Sequence, residues 1–156
     1  MKPDAVEALL RKQRVARLAT VDARGRPVVI PFCFVYDGKI FYSSLDEKPK
    51  SVAPEKLRRS RNILRNPEVA FVLDHYEEDW NRLWFVLVRG RARILRSGKE
   101  HVRALELLRR KYPQYRRMLL EKRPVIKIVP WKIRHWDAAA QQRKPQRHEG
   151  AKTPYV

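Results

Sequence analysis

The chain has 156 residues, close to the commonest domain size, and can bury roughly two thirds of the surface its unfolded form exposes, so a single domain is expected. Its 36 basic and 17 acidic residues give a net charge of +19, which points to anionic partners: a phosphate-bearing cofactor, an acidic cofactor tail or nucleic acid. The one cysteine, Cys33, excludes a disulfide framework and a cysteine metal cluster within the chain, and its apolar neighbours predict a small buried residue.

Asp4 is placed to cap a helix through Leu10, with Pro3 just before it and Val6, Leu9 and Leu10 on one side. No run of signal-peptide length occurs there, and no stretch reaches the length of a membrane span, so a soluble cytoplasmic protein without membrane contact is expected. Residues 14–21 place Ala16, Leu18 and Thr20 on one face of a strand. After Asp22, Gly25 and Pro27 comes Val28 to Tyr36, a nearly continuous apolar run read as one strand. Pro31 inside it requires an edge, a bulge or a ligand-facing position, because proline brings no amide to a ladder. Asp37-Gly38 predicts a type I′ hairpin returning through Lys39 to Ser44.

The polar segment from Asp46 to Pro54 predicts a loop, and Glu55 to Asn66 a helix with Leu57, Ile63 and Leu64 inward and its other faces crowded with basic residues. Val69 to Leu73 reads as a strand, and Leu83 to Leu95 as a longer one with a bulge or sharp twist at Gly90. A second long helix spans Glu100 to Tyr112, carrying Val102, Leu105, Leu108 and Tyr112 inward and stopped by Pro113. Val125 to Trp136 alternates as a last strand. Few helices and mainly hairpin-length links predict a mainly β fold, an antiparallel barrel or sandwich. The expected division is a domain over 1–138 and a basic polar tail over 139–156, where large apolar residues are missing until Tyr155.

The scattered glycines cannot build a glycine-rich phosphate loop, and neither a Gly-x-Ser-x-Gly elbow nor a His-Glu-x-x-His motif occurs. Asp74, His75, Glu77, Glu78 and Asp79 offer metal-ligand types at a spacing that matches no standard site; acids countering the surrounding arginines account for them, and no metal is expected. Hydroxyls and cations instead follow one strand end: Ser43, Ser44, Lys48 and Lys50, then Arg59 with Asn62 on one helical face. They suit a phosphate, and they equally suit a charged loop and a solvated helix face. Trp80 and Trp84, flanking Arg82, suit core or interface packing, or an aromatic wall beside a flat cofactor, reaching it from another subunit.

ARLATVDARGRPVVIPFCFVYDGKIFYSS, KPK, RNILRNPEVAFVLDHYEEDWNRLWFVLVRGRARIL and VIKIVPWKIRHW together span about residues 5–136 and resemble the flavin- and deazaflavin-binding split barrels related to pyridoxamine 5′-phosphate oxidase. The KPK and DHYEEDW-x-RLWFV pieces resemble more narrowly the branch that uses coenzyme F-420, a 5-deazaflavin. The resemblance implies a six-stranded antiparallel split β-barrel and a homodimer with cofactor at the subunit interface. It implies that Ser43 and Ser44 line the cofactor, that Lys48, Lys50 and Arg59 meet its phosphate, that Pro31 lies beside the ring system, and that Trp80 and Trp84 come from the partner chain. The implied activity is that of an oxidoreductase moving a hydride between F-420, or alternatively FMN, and a small organic substrate. Tyr42 or Tyr76 is a candidate proton donor. A recognisable C-terminal substrate-phosphate motif is missing, so vitamin B6 oxidation is not expected. Two other classes stay open: a non-catalytic flavin or haem carrier, with His75 or His135 as the haem ligand, and, ranked below it, a nucleic-acid-binding protein using the arginines of 56–65 and the tail.

Overall fold

In a computed structural model, residues 3–45 and 58–142 are described. Lys48, Lys50, Leu57, the expected 46–54 loop, the first turn of the expected 55–66 helix and the tail beyond 142 lie outside them, as does the Asp4 side chain.

The chain runs α1 (Pro3–Lys12), β1 (Val15–Val21), β2 (Pro27–Cys33), β3 (Val35–Tyr36), β4 (Phe41–Ser44), α2 (Arg58–Arg65), β5 (Glu68–His75), β6 (Trp84–Leu95), α3 (Lys99–Lys111), β7 (Val125–Asp137) and α4 (Ala138–Gln142), with 3₁₀ turns at Trp80–Arg82 and Pro113–Arg117. The strands form one curled antiparallel sheet ordered β2-β1-β5-β6-β7-β4-β3, the split barrel. Seven strands stand where six were expected, because the run from Val28 to Tyr36 divides at Phe34. There the Tyr112 hydroxyl, arriving from the end of α3, takes both the amide and the carbonyl of Phe34 out of the ladder.

The inner face follows the period of two along each strand. Ala16 and Leu18 on β1, Phe71 and Leu73 on β5, Val86 and Val88 on β6, and Ile126 and Ile128 on β7 are all buried in one core with Phe34 and Phe41. Phe71 meets Phe41 edge-on at 4.9 Å between ring centroids, a favoured aromatic geometry. A second cluster joins Val35 and Tyr42 to Ala104, Leu105 and Leu108 of α3, and to Tyr112 and Tyr115.

The hairpin at Asp37 forms one position further on than expected. Tyr36 pairs with Phe41 and the Asp37 amide donates to the Ile40 carbonyl, so Gly38 and Lys39 are the central residues. Gly38 has φ of 105°, while the Asp37 carboxylate accepts from the amides of Lys39 and Ile40 and so closes the turn itself. The bulge at Gly90 is present as a register shift against β7. A Cβ there would lie 2.7 Å from the Val129 carbonyl oxygen. Two inward assignments are corrected: Leu64 is 63% and Val102 is 55% exposed, while Asn62 and His101 take the buried positions on α2 and α3.

Candidate functional site

β4 is four residues long and lies between β3 and β7, with Ser43 opposite Ile126 and Ser44 opposite Val125. Both serines are buried. The Ser44 hydroxyl has no hydrogen-bond partner among the described residues, a condition costly for a buried polar group. The chain passes directly from this point into the segment that carries Lys48 and Lys50.

One residue earlier, the Tyr42 hydroxyl donates to Glu100 Oε1 at 2.8 Å, and the same oxygen lies 2.6 Å from Lys127 Nζ. Lys127 stands directly across the β4–β7 ladder from Tyr42. Burial first and then the Glu100 contact push the Tyr42 phenol well above its ordinary value, while the Lys127 and Tyr42 contacts hold Glu100 below the usual carboxylate range. Tyr42 therefore keeps its proton and gives it to Glu100 as a hydrogen bond. An open cavity of about 750 Å³ lies beside this triad, between α1, the Asp37 turn and the start of α3. Tyr76, the other candidate donor, is exposed near Glu78.

Pro31 lies on β2, a sheet edge, across from Arg17 of β1 and, among the described residues, without a ladder partner on its other side. Its row crosses the outer face of the sheet as Pro31, Arg17, Val72, Leu87 and Arg134. Phe85 and Trp136, one step along that face, stack at 5.6 Å. Val29 and Phe85 are exposed here, so the face carries apolar side chains open to contact.

Arg59 is half-buried on α2, which packs against β1 and β6. Asn62 on the same helix donates to Thr20 of β1 at 3.0 Å, anchoring the helix. The tryptophans are elsewhere. Val125 pairs with both Ser44 and Leu95, and Trp84 begins β6 at its other end, about 35 Å of strand away. Trp84 packs partly on the core and stacks with His75 at 6.1 Å, whereas Trp80 is 67% exposed. One chain thus gathers the serines and separates them from the tryptophans.

The acidic segment is tied to arginines, with Asp74 on Arg17 and Glu77 on Arg82, and Asp79 caps the 3₁₀ turn. No metal-holding group of His, Cys, Asp and Glu occurs among the described residues. His135, opposite Val86, keeps a buried Nε2 without a partner among the described residues, and burial holds its pKa below the ordinary histidine value. The Tyr42–Glu100–Lys127 triad was not legible in the sequence, because it depends on strand register and on α3 docking over β4. No helix among the described residues is long and apolar enough to cross a membrane.

The sequence matches the pyridoxamine 5′-phosphate oxidase family over residues 2–142. A search of curated proteins gives no significant match. Among solved structures, a conserved hypothetical protein of Mycobacterium tuberculosis is similar at 22% identity and TM-score 0.74, over 97% of this chain and 93% of that one. A protein described as an F420 reductase is similar at 24% identity and TM-score 0.59, over 82% and 94% of the two chains. A haem storage protein of Vibrio cholerae is similar at 15% identity and TM-score 0.65, over 86% and 92%. At these identities the likeness is one of fold.

Proposed function

The chain belongs to the pyridoxamine 5′-phosphate oxidase family of flavin-binding split barrels, and from that premise we propose that it is an oxidoreductase using coenzyme F-420, with FMN as the alternative. The carrying observation is the Ser44 hydroxyl: 2% exposed, on the strand that leads into Lys48 and Lys50, and without a partner among the described residues. A buried hydroxyl left so costs about 1–3 kcal/mol, and a cofactor oxygen would remove that cost.

Ser43 and Ser44 line the cofactor in this reading, and Lys48, Lys50 and Arg59 hold its phosphate. Arg59 keeps the charge of a lysine and adds a bidentate fork. The bound cofactor supplies hydride chemistry at the ring atom that meets an electrophilic organic substrate. The protein's own share is to position the ring and exclude water, with Pro31 alongside. Two chains meet through the outer sheet face, covering Val29, Phe85 and Trp136, and bring the partner's Trp80 and Trp84 to the ring. The domain ends near 138 and the basic tail follows. Incubating the protein with reduced F-420 and a panel of electrophilic small molecules tests turnover; cofactor that binds and is never reoxidised would make the protein a carrier.

His135 supports a second reading, a haem-binding module. A neutral imidazole with a free Nε2 is what an iron centre takes as an axial ligand. His75 is less suited, since it stacks on Trp84 and lies 3.4 Å from Glu77. Haem titration with His135→Ala separates this reading, which requires a Soret shift lost in the variant.

A further inference from the structure

The cavity of about 750 Å³ beside the Tyr42–Glu100–Lys127 triad meets β4 at its start, whereas Ser44 and the chain toward Lys48 and Lys50 lie at its end. Its volume is that of a small-molecule site. One wall is α1, with Glu7 and Arg11; a second is the Asp37 turn, with Lys39; the third is the first turn of α3, with Lys99, Glu100 and Arg103.

The carboxylates of this lining are all engaged. Arg11 donates to Glu7 Oε1 through Nε at 3.0 Å and Nη2 at 2.7 Å. The Asp37 side chain, 9% exposed, accepts from the amides of Lys39 and Ile40 and from Arg103 at 3.3 Å. Glu100 Oε1 takes both Tyr42 and Lys127. Lys39 and Lys99 are left over: both are exposed, and neither side chain has an ion pair with a described residue. Beside them α3 begins without a side-chain cap, since Gly98 stands at its N-cap, and a helix of 13 residues carries partial positive charge at that end. Two ammonium groups and a helix N-terminus on one cavity draw a compact dianion, which a phosphate group is.

The carboxylates decide the rest of the ligand. Contacts with Arg11, Tyr42 and Lys127 fall on one oxygen of Glu7 and one of Glu100, so Oε2 of each is open to accept from a hydroxyl. A second anionic group on the ligand would be repelled by these carboxylates, and an apolar body would strip water from them and return nothing. Hydroxyl groups satisfy them.

We propose that this cavity binds a small phosphorylated polyol, a sugar phosphate or glycerol phosphate, with its phosphate on Lys39, Lys99 and the α3 N-terminus and its hydroxyls toward Glu7 and Glu100. The cofactor reading above uses none of these residues, so either can fail without the other.

Calorimetric titration of the full chain with glycerol 3-phosphate, ribose 5-phosphate and glucose 6-phosphate tests it, against orthophosphate, glucose and citrate, at about 0.15 M salt where long-range surface fields are screened. At least one of the three esters is expected to bind tenfold or more tightly than each of the reference compounds. Lys39→Ala/Lys99→Ala should weaken that ester at least tenfold. Arg110→Ala/Arg117→Ala removes the same charge from exposed positions elsewhere and should weaken it less than threefold. Arg59→Ala, which touches the cofactor reading, should also weaken it less than threefold. The proposal is overturned if none of the esters exceeds orthophosphate tenfold, or if glucose or citrate matches them. Equal loss in the arginine pair overturns it as well, because the net field alone would then explain binding. So does equal loss in Arg59→Ala, which would place the ester in the cofactor site.

Discussion

The Tyr112 hydroxyl lies 2.9 Å from the Phe34 amide nitrogen and accepts its proton, while the Phe34 carbonyl lies 2.8 Å and the Arg14 carbonyl 2.6 Å from the same oxygen. A residue at the end of α3 thus replaces ladder bonds between two strands nearly eighty positions earlier. Its single proton serves one carbonyl at a time, and burial raises its pKa further above the ordinary tyrosine value, so it stays protonated. Tyr112→Phe leaves the buried Phe34 amide without its acceptor and should cost about 1–3 kcal/mol in chemical denaturation. A loss near zero would mean that β2 and β3 join without the hydroxyl.

Lys111 precedes this tyrosine. Its Nζ sits 4.1 Å from the Phe34 ring centroid and has no hydrogen-bond partner among the described residues. Burial, and then the neighbouring Arg14 charge, lower its pKa to about 8, against 10.5 for the free side chain. The ammonium is therefore a native-state cost that is complete below pH 8 and fades as pH rises toward 10, although the ring faces offset part of it. Lys111→Met should match or exceed the wild type in stability at pH 7, and its advantage should shrink between pH 8 and 10. A constant difference across that window contradicts the burial.

Gly90 faces backbone, with an added Cβ lying 2.7 Å from the Val129 carbonyl and 2.8 Å from Ile128 Cγ2. Gly90→Ala must shift the β6–β7 pairing and should cost about 1–3 kcal/mol by thermal or chemical unfolding. Wild-type stability in that variant would show that the bulge yields freely.

Much of this fold was readable because its strands obey a period of two and its breaks fall at Gly and Pro. β1, with Ala16, Leu18 and Thr20 buried, and the bulge at Gly90 followed directly. What was hidden depends on partners distant in sequence or on side chains competing with backbone. Tyr112 divides a run that reads as one strand. The Asp37 carboxylate moves the turn one residue by satisfying the Ile40 amide. On α2 the apolar residues are too few to fix a face, and Leu64 is exposed while Asn62 is buried on Thr20. The serines of the candidate site were legible as a strand end, whereas Trp84, at the far end of β6, and Trp80, in the turn before it, lie away from them in one chain, a separation set by strand register rather than by any local pattern.

Arg59→Ala should weaken cofactor binding by about 1–3 kcal/mol, the value of a charged hydrogen-bond partner. Unchanged affinity would place the cofactor phosphate away from α2.

The most direct test of the central claim is equilibrium titration of the purified protein with F-420 and with FMN, followed by cofactor fluorescence. The account predicts saturable micromolar or tighter binding of F-420, one cofactor per chain, weakened in Ser44→Ala and Arg59→Ala. Failure of both F-420 and FMN to bind in the micromolar range would contradict it.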